Sequence, residues 1–147
     1  MMYNCALLKF KDIVSKDGHL SSIEEQIDVP FEIKRVYYVT GVAQEAERGF
    51  HAHKKLHQVL ICLNGSIKVR LKSPNKEEIV KLYDPSVGLY IGPLIWHELF
   101  DFVKGSVLLV VASEYYFEED YIRDYNLYLN EAKKLFPTNL VDDSKIS

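Results

Sequence analysis

Short apolar runs alternate with turn residues for most of this chain, and the spacing becomes helical only near its end. Residues 6–10 read as a first strand and residues 20–23 as the start of a second, with turn chemistry at Lys16-Asp17-Gly18. Residues 24–30 form a polar connector. Residues 33–40 are rich in β-branched and aromatic types and read as a strong strand. Period-two alternation puts Ile33, Arg35, Tyr37 and Val39 on one face, and Lys34, Val36, Tyr38 and Thr40 on the other. After a loop at 41–47 come Arg48-Gly49-Phe50-His51-Ala52-His53 and the apolar run 59–62. Asn64-Gly65 follows, a hairpin signal because both turn positions favour positive φ. The expected hairpin partner, 66–71, turns Ile67, Val69 and Leu71 to one side and Lys68 and Arg70 to the other. Further strands are expected at 78–82, 88–91, 96–100 and 107–112, with breaks at Ser73-Pro74-Asn75, Asp84-Pro85-Ser86, Gly92-Pro93 and Lys104-Gly105. From 118 to 136 the positions Tyr121, Tyr125, Tyr128, Leu129, Ala132, Leu135 and Phe136 have helical spacing. Acidic residues near 118 and Lys133-Lys134 near the end suit the helix dipole. Pro137 is expected to stop the helix, and residues 138–147 read as a frayed tail. Closely spaced strands followed by one helix predict an all-β sandwich or barrel with a C-terminal helix packed outside.

A length of 147 residues favours a single domain, 1–147, with one core. An apolar content of 48% fits a globular protein, and a net charge of −3 gives no reason to expect nucleic acid or a membrane surface as partner. No run approaches the ~20 apolar residues of a transmembrane helix, and the first residues lack the pattern of a signal peptide. Cys5 and Cys62 sit in apolar runs without metal spacing. Together these features predict reduced, buried thiols in a cytoplasmic protein.

His51 and His53 are separated by one residue, so on a strand both imidazoles leave the same face. The plainest reading is two satisfied polar residues in a barrel mouth. It is weakened by Arg48, Lys54 and Lys55 nearby, and by Tyr37 on a strand expected alongside. Such cations suit an anionic ligand such as a diphosphate. They also lower histidine pKa values and favour a neutral imidazole base near neutral pH. A metal reading has to be weighed, because cupin barrels carry His-x-His, four residues, Glu, six residues, Gly. His51, His53 and Gly65 fit that register, but Gln58 stands at the glutamate position. His97 follows Pro93 by four residues, one short of the usual spacing. An amide oxygen is a weak ligand for a transition metal, and His57, the possible substitute, has Lys54 and Lys55 beside it to repel a dication. No metal is therefore expected.

The run from Arg48 to Leu60 resembles the nucleotide-sugar 3,4-ketoisomerases acting on dTDP-4-keto-6-deoxyglucose, a cupin family (dTDP and TDP both denote the thymidine diphosphate carrier). Residues 31–38, 88–93, Trp96-His97-Glu98, 112–116 and 120–125 share the resemblance, which extends from Leu7 to about Leu129. It implies a metal-free, cofactor-free cupin-type jelly roll that forms a homodimer. It also implies a base at His51, His53 beside it, Tyr37 as pocket residue and proton relay, and Arg48 near the diphosphate. Arg35, Lys54, Gln58, Trp96 and His97 are the further candidates for substrate contact, His97 with a part in setting product configuration. Family members often carry a basic residue before the glycine of the first turn, where this chain has Asp17.

The implied reaction removes a proton from C3 beside the C4 ketone, passes through a C3–C4 enediol, and returns a proton to C4. It is redox-neutral and needs no nicotinamide. It does need groups that exchange protons and a donor for the developing oxyanion. The implied setting is the biosynthesis of 3-amino-3,6-dideoxy sugars for surface glycans. Three rivals stand beside this reading. Arg48-Gly49-x-His51 also resembles the deoxysugar 3,5-epimerases, whose histidine is a base next to a ketone. A metal-dependent cupin enzyme and a non-catalytic sugar-binding cupin are the others.

Overall fold

Strands follow one another from Cys5 to Ile122, and one helix closes the described chain. The computed structural model describes residues 1–136, so the expected stop at Pro137 and the tail 138–147 lie outside the described residues. In chain order the strands are β1 (Cys5–Lys9), β2 (Ile13–Ser15), β3 (Gly18–Leu20), β4 (Arg35–Val39), β5 (Arg48–His53), β6 (Gln58–Asn64), β7 (Ile67–Ser73), β8 (Lys76–Leu82), β9 (Val87–Ile91), β10 (Trp96–Phe100), β11 (Val107–Ala112) and β12 (Tyr121–Ile122), followed by α1 (Tyr125–Leu135).

Two five-stranded sheets form, in the orders β1-β9-β6-β11-β4 and β12-β5-β10-β7-β8, with β2 and β3 as a separate ribbon. All of these pairings are antiparallel. From β4 to β7 and again from β8 to β12 the chain crosses between the sheets at every connection, which makes the cupin-like jelly roll. The core fills the space between the sheets. Ile67, Val69 and Leu71 of β7 and Leu99 of β10 meet Leu60, Leu89, Leu108 and Val110 of the opposite sheet. The strict alternation of β7 follows from having one covered face. By contrast β6 and β11 read as unbroken apolar runs because both of their faces are covered. Phe10, Val29 and Phe31 close over Val59, Ile61 and Val111 on the outer side.

The structure changes four local expectations. Asn64-Gly65 does not join a hairpin: β6 pairs with β9 and β11, while β7 pairs with β8 and β10. Gly65 does adopt positive φ (77°), but its turn carries the chain from one sheet to the other. The Asn64 side chain, bonded to the Gly105 carbonyl, and the Ser66 N–H, bonded to Ser106 Oγ, tie it to the turn before β11. The second strand is not at 20–23. A ribbon of β2 and β3 forms around Lys16-Asp17, every residue of both strands being exposed. The strand expected at 33–40 is confined to Arg35–Val39. The helix begins at Tyr125 and not at 118, because Glu118–Asp120 is a single 3₁₀ turn and Tyr121–Ile122 pairs with β5. Pairing the open edge of β5 satisfies backbone groups that a longer helix would have left without partners.

Asp124 caps the helix by accepting the Leu127 N–H at 3.0 Å. The helix buries Tyr128 and Ala132. The Tyr128 hydroxyl reaches the Lys72 and Leu94 carbonyls at 2.9 and 3.0 Å, and its ring packs on Trp96. Among the described residues no helix is long and apolar enough to cross a membrane.

Candidate active site

The site is built where β5 runs beside β10. His51 stands opposite His97, and Gly49 opposite Glu98, so Phe50 is an extra residue in β5. Gly49 (φ 86°) and Phe50 (φ 61°) carry this bulge in left-handed conformations. A Cβ at Gly49 would come 3.0 Å from the His97 carbonyl oxygen, so glycine is required by both φ and space. The bulge shifts the side-chain alternation by one. Arg48 and His51, an odd number of residues apart, consequently line the same cavity.

The cavity has two lobes. An outer lobe of about 470 Å³ is walled by Arg35, Tyr37, Arg48, His51, Tyr121 and Arg123, with Glu47 and Tyr116 at its rim. An inner lobe of about 90 Å³ shares Tyr37, Arg48 and His51, and continues to Gln58 and His97. Tyr37 reaches His51 from the facing sheet, since β4 pairs with β11 and not with β5. The expected alternation of β4 holds: Arg35 and Tyr37 are half-buried towards the cavity, whereas Val36 and Tyr38 are exposed. Arg35 lies over the Tyr37 and Tyr116 rings at 5.3 and 5.6 Å, and Arg123 over Tyr121 at 4.4 Å. Three guanidinium groups thus surround the mouth of a protein whose net charge is negative. Glu118 holds Arg123 through two hydrogen bonds of 2.8 and 3.1 Å, and that guanidinium keeps its carboxyl down at about 2.

His51, His53 and His97 form one cluster. Ring centroids are 4.9 Å apart for His51 and His53, and 4.6 Å for His51 and His97. His53 Nδ1 lies 3.1 Å from Asp120 Oδ2, so Nδ1–H donates to the carboxylate. Both nitrogens of His97 are engaged: Nδ1–H donates to the Ile95 carbonyl, and Nε2 accepts from the Gln58 amide, each at 3.2 Å. These tautomers follow from the hydrogen-bond network. Among the described residues His51 Nδ1 and Arg35 Nε are buried without a hydrogen-bond partner. The nitrogens of the three imidazoles lie within 4.8 Å of one another, close enough to converge on a divalent ion. The donor set fits such an ion poorly, because His97 has no free lone pair and the neighbouring residue is Gln58, an amide in place of a carboxylate.

Burial sets the protonation of the cluster. It lowers His51 to about 4. It lowers His53 to about 3, with the nearby His51, Arg35 and Arg123 acting in the same sense. His97 also lies well below its ordinary value, again through burial. Burial pushes Tyr37 up to about 12, with Tyr121 adding to the shift and Arg35 and Arg48 opposing it. At neutral pH the cavity therefore holds neutral imidazoles that can accept protons and a neutral phenol that can donate one.

Of the residues expected at the site, Tyr37, Arg35, Arg48, His51, Gln58 and His97 meet around this cavity, and His53 joins them through the cluster. The structure does not bring Lys54 or Trp96 there. Trp96 precedes His97 on a strand and so points to the opposite face, under α1, donating Nε1–H to Glu98. Lys54 lies past the end of β5 and lines a separate outer hollow with Lys55. His57 is also elsewhere, 2.6 Å from the Tyr90 hydroxyl. Sequence reasoning missed Tyr116, Asp120, Tyr121 and Arg123 as site residues. Residues 112–116 and 120–125 share the family resemblance, but the spacing of Tyr121, Tyr125 and Tyr128 predicts one continuous helix.

The depressed histidines predict a pH dependence of stability. A chain that is unfolded binds protons on these imidazoles below about 6.5, while the folded protein does not until about 4 for His51 and about 3 for His53. Their contribution is thus fully present above about 6.5 and is lost as the pH falls towards those values. Chemical denaturation between pH 7.5 and 4.5 should show falling stability on acidification. His51→Asn should make that fall shallower, and an unchanged slope would contradict the burial argument.

Comparison with known proteins accords with this architecture. Residues 3–133 match the family model described as "FdtA: WxcM-like, C-terminal". The chain is 49% identical over 129 residues to the TDP-4-oxo-6-deoxy-α-D-glucose 3,4-oxoisomerase of Aneurinibacillus thermoaerophilus, covering 88% of this chain and 93% of that protein. The crystal structure of QdtA, a sugar 3,4-ketoisomerase from Thermoanaerobacterium thermosaccharolyticum in complex with TDP, is 67% identical. It superposes with a TM-score of 0.91 over 92% of this chain and 99% of that one. The H51N mutant of QdtA in complex with TDP-4-keto-6-deoxyglucose is 63% identical, with a TM-score of 0.90 over 97% and 100% of the two chains. The chain belongs to the FdtA (WxcM-like, C-terminal) family of sugar 3,4-ketoisomerases.

Proposed function

We propose that this protein is an isomerase that moves the ketone of TDP-4-keto-6-deoxyglucose from C4 to C3. The observation that carries the reading is a buried, neutral His51 in a cavity ringed by Arg35, Arg48 and Arg123, in a chain 67% identical to a sugar 3,4-ketoisomerase crystallised with TDP. The arginines of the outer lobe take the diphosphate, for which guanidinium geometry is well suited. The hexose then extends past His51 towards Gln58 and His97.

His51 removes the C3 proton, which the adjacent C4 carbonyl has acidified. The C–H electron pair forms the C3–C4 double bond, and negative charge develops on O4. A base held so low by burial accepts a proton readily only when negative charge grows beside it, and this step supplies that charge. The neutral Tyr37 hydroxyl donates to the developing oxyanion. His53 and Tyr37 carry the hydroxyl proton from O3 to O4, and a proton returns to C4. The C3 carbinol is oxidised as the C4 carbonyl is reduced, so electrons balance within the substrate. His97, whose nitrogens are both engaged, shapes the inner wall and with it the face on which C4 is protonated, which sets product configuration.

The test is incubation with TDP-4-keto-6-deoxyglucose in deuterated water. A ketoisomerase gives the 3-keto product with deuterium at C4. Exchange without ketone transfer would indicate an epimerase, and no exchange would indicate a binding protein. His51→Asn should cut ketone transfer by about 10²–10⁴-fold while leaving TDP binding nearly intact. Near-normal turnover of that variant would remove His51 from the role of base.

The reaction as written needs no metal ion. Prolonged chelation followed by desalting should leave turnover unchanged. A loss that one divalent ion alone restores would overturn this part of the reading.

The same proposal includes a homodimer in the cytoplasm, in the setting of 3-amino-3,6-dideoxy sugar synthesis for surface glycans. Support for a partner copy comes from the β2–β3 ribbon, which leaves Ile13, Val14 and Leu20 about 60% exposed. Ile13 and Leu20 are cross-strand partners and share one face of the ribbon, an exposed apolar pair that a partner copy would cover. The free thiols of Cys5 and Cys62 suit a reducing compartment. Light scattering should give twice the chain mass; a monomeric mass at micromolar concentration would refute the dimer.

A further inference from the structure

The segment from Glu118 to Arg123 straps the edge of β5, and one residue in it has no part in the reaction as described so far. Asp120 is held by the backbone on both sides. Its carbonyl accepts the Lys54 N–H at 2.9 Å, and its Oδ1 accepts the Lys55 N–H at 2.7 Å. The pairing of Tyr121 with His53 fixes the strap against the histidine strand. The remaining carboxylate oxygen, Oδ2, is left facing His53 Nδ1 at 3.1 Å. A carboxylate can only accept, so the proton of neutral His53 sits on Nδ1 and Nε2 keeps its lone pair on the side of the ring away from the strap. His53 is only 3% exposed, leaving water little access to shift that choice.

We propose that Asp120 is a positioning residue of the isomerisation, holding His53 as the Nδ1–H tautomer so that its Nε2 can take the proton from O3. The inference rests on the assignment of His53 to hydroxyl proton transfer made above. The atoms balance. His51 has already taken the C3 proton, giving the enediolate. His53 Nε2 takes the O3 proton, leaving the O–H electron pair on O3, where it forms the C3 carbonyl once the C3–C4 double-bond pair takes a proton at C4. The imidazolium formed on His53 is stabilised by the Asp120 carboxylate on its other nitrogen and then gives its proton to O4. C4 is protonated to complete the product. Asp120 contacts no reacting atom; it acts through His53.

The experiment uses the whole protein with ¹⁵N-labelled histidine. Nitrogen shifts of wild-type protein at neutral pH should show Nδ1 of His53 carrying hydrogen and Nε2 bare. If Nε2 carries the hydrogen, the proposal falls without any variant being made. Asp120→Asn keeps the shape of the side chain. Its Oδ1 is claimed by the Lys55 N–H, so the amide NH₂ faces Nδ1 and moves the imidazole proton to Nε2. The expected result is an exchanged pair of His53 nitrogen shifts, ketone transfer reduced by about 10²–10⁴-fold, and continued deuterium exchange at C3 of recovered substrate. An exchanged tautomer with full ketone transfer would overturn the proposal, as would an unchanged tautomer in the variant. Equal loss of C3 exchange and ketone transfer, beside a wild-type Nδ1–H signal, would instead strike the assignment of His53 to the later step. The tautomer assignment would still stand, so the two failures are told apart.

Discussion

The pairing of β5 with β10 across a bulge at Gly49 and Phe50 is the constraint from which the site follows. Antiparallel pairing sets His51 beside His97, and the two-residue period sets His53 on the same face. The bulge then turns Arg48 inward as well, so that a guanidinium and an imidazole three positions apart open on one cavity. A regular strand would have sent Arg48 to the other side of the sheet.

Burial supplies the chemistry. Three imidazoles are packed between the sheets beside Tyr37, and the cost of charging them in that setting keeps them neutral. Guanidinium groups at the mouth act in the same sense and offer the positive charge that a diphosphate requires. Hydrogen bonds then distribute the work: His97 has both nitrogens occupied, His53 has one held by Asp120, and His51 has Nδ1 unpartnered. Residues of one type on neighbouring strands thereby acquire different capacities. The same occupancy argues against a tight metal centre, because the geometry of convergence is present but His97 offers no free lone pair.

The cavity is completed from the far end of the chain. The 3₁₀ turn and the two residues of β12 bring Asp120, Tyr121 and Arg123 against β5 before α1 begins, and Tyr121 packs on both His51 and His53 at 4.9 and 4.5 Å. The helix anchors that strap by burying Tyr128 and Ala132 against the core. Stability at the C-terminal end and order in the cavity wall are therefore linked through a few residues.

What the sequence determined by itself was local and periodic. The strand faces at Arg35–Val39 and Ile67–Ser73 and the common face of His51 and His53 were legible, because alternation carries them; Tyr37, Arg48, Gln58 and His97 were named by residue type and resemblance, and it is the facing sheet and the bulge in β5 that bring them to one cavity. The resemblance to sugar 3,4-ketoisomerases was legible in the run around His51. Only the tertiary structure decided which strands became neighbours. Asn64-Gly65 has the chemistry of a hairpin turn, yet the two strands it joins pair in different sheets. Trp96 and Lys54 lie next in sequence to cluster histidines but face elsewhere. Asp120 and Tyr121 fit a helical spacing and were claimed by the open edge of β5. In each case a long-range pairing satisfied backbone groups or apolar surface that local periodicity does not count, and for that reason it was absent from the pattern of the sequence.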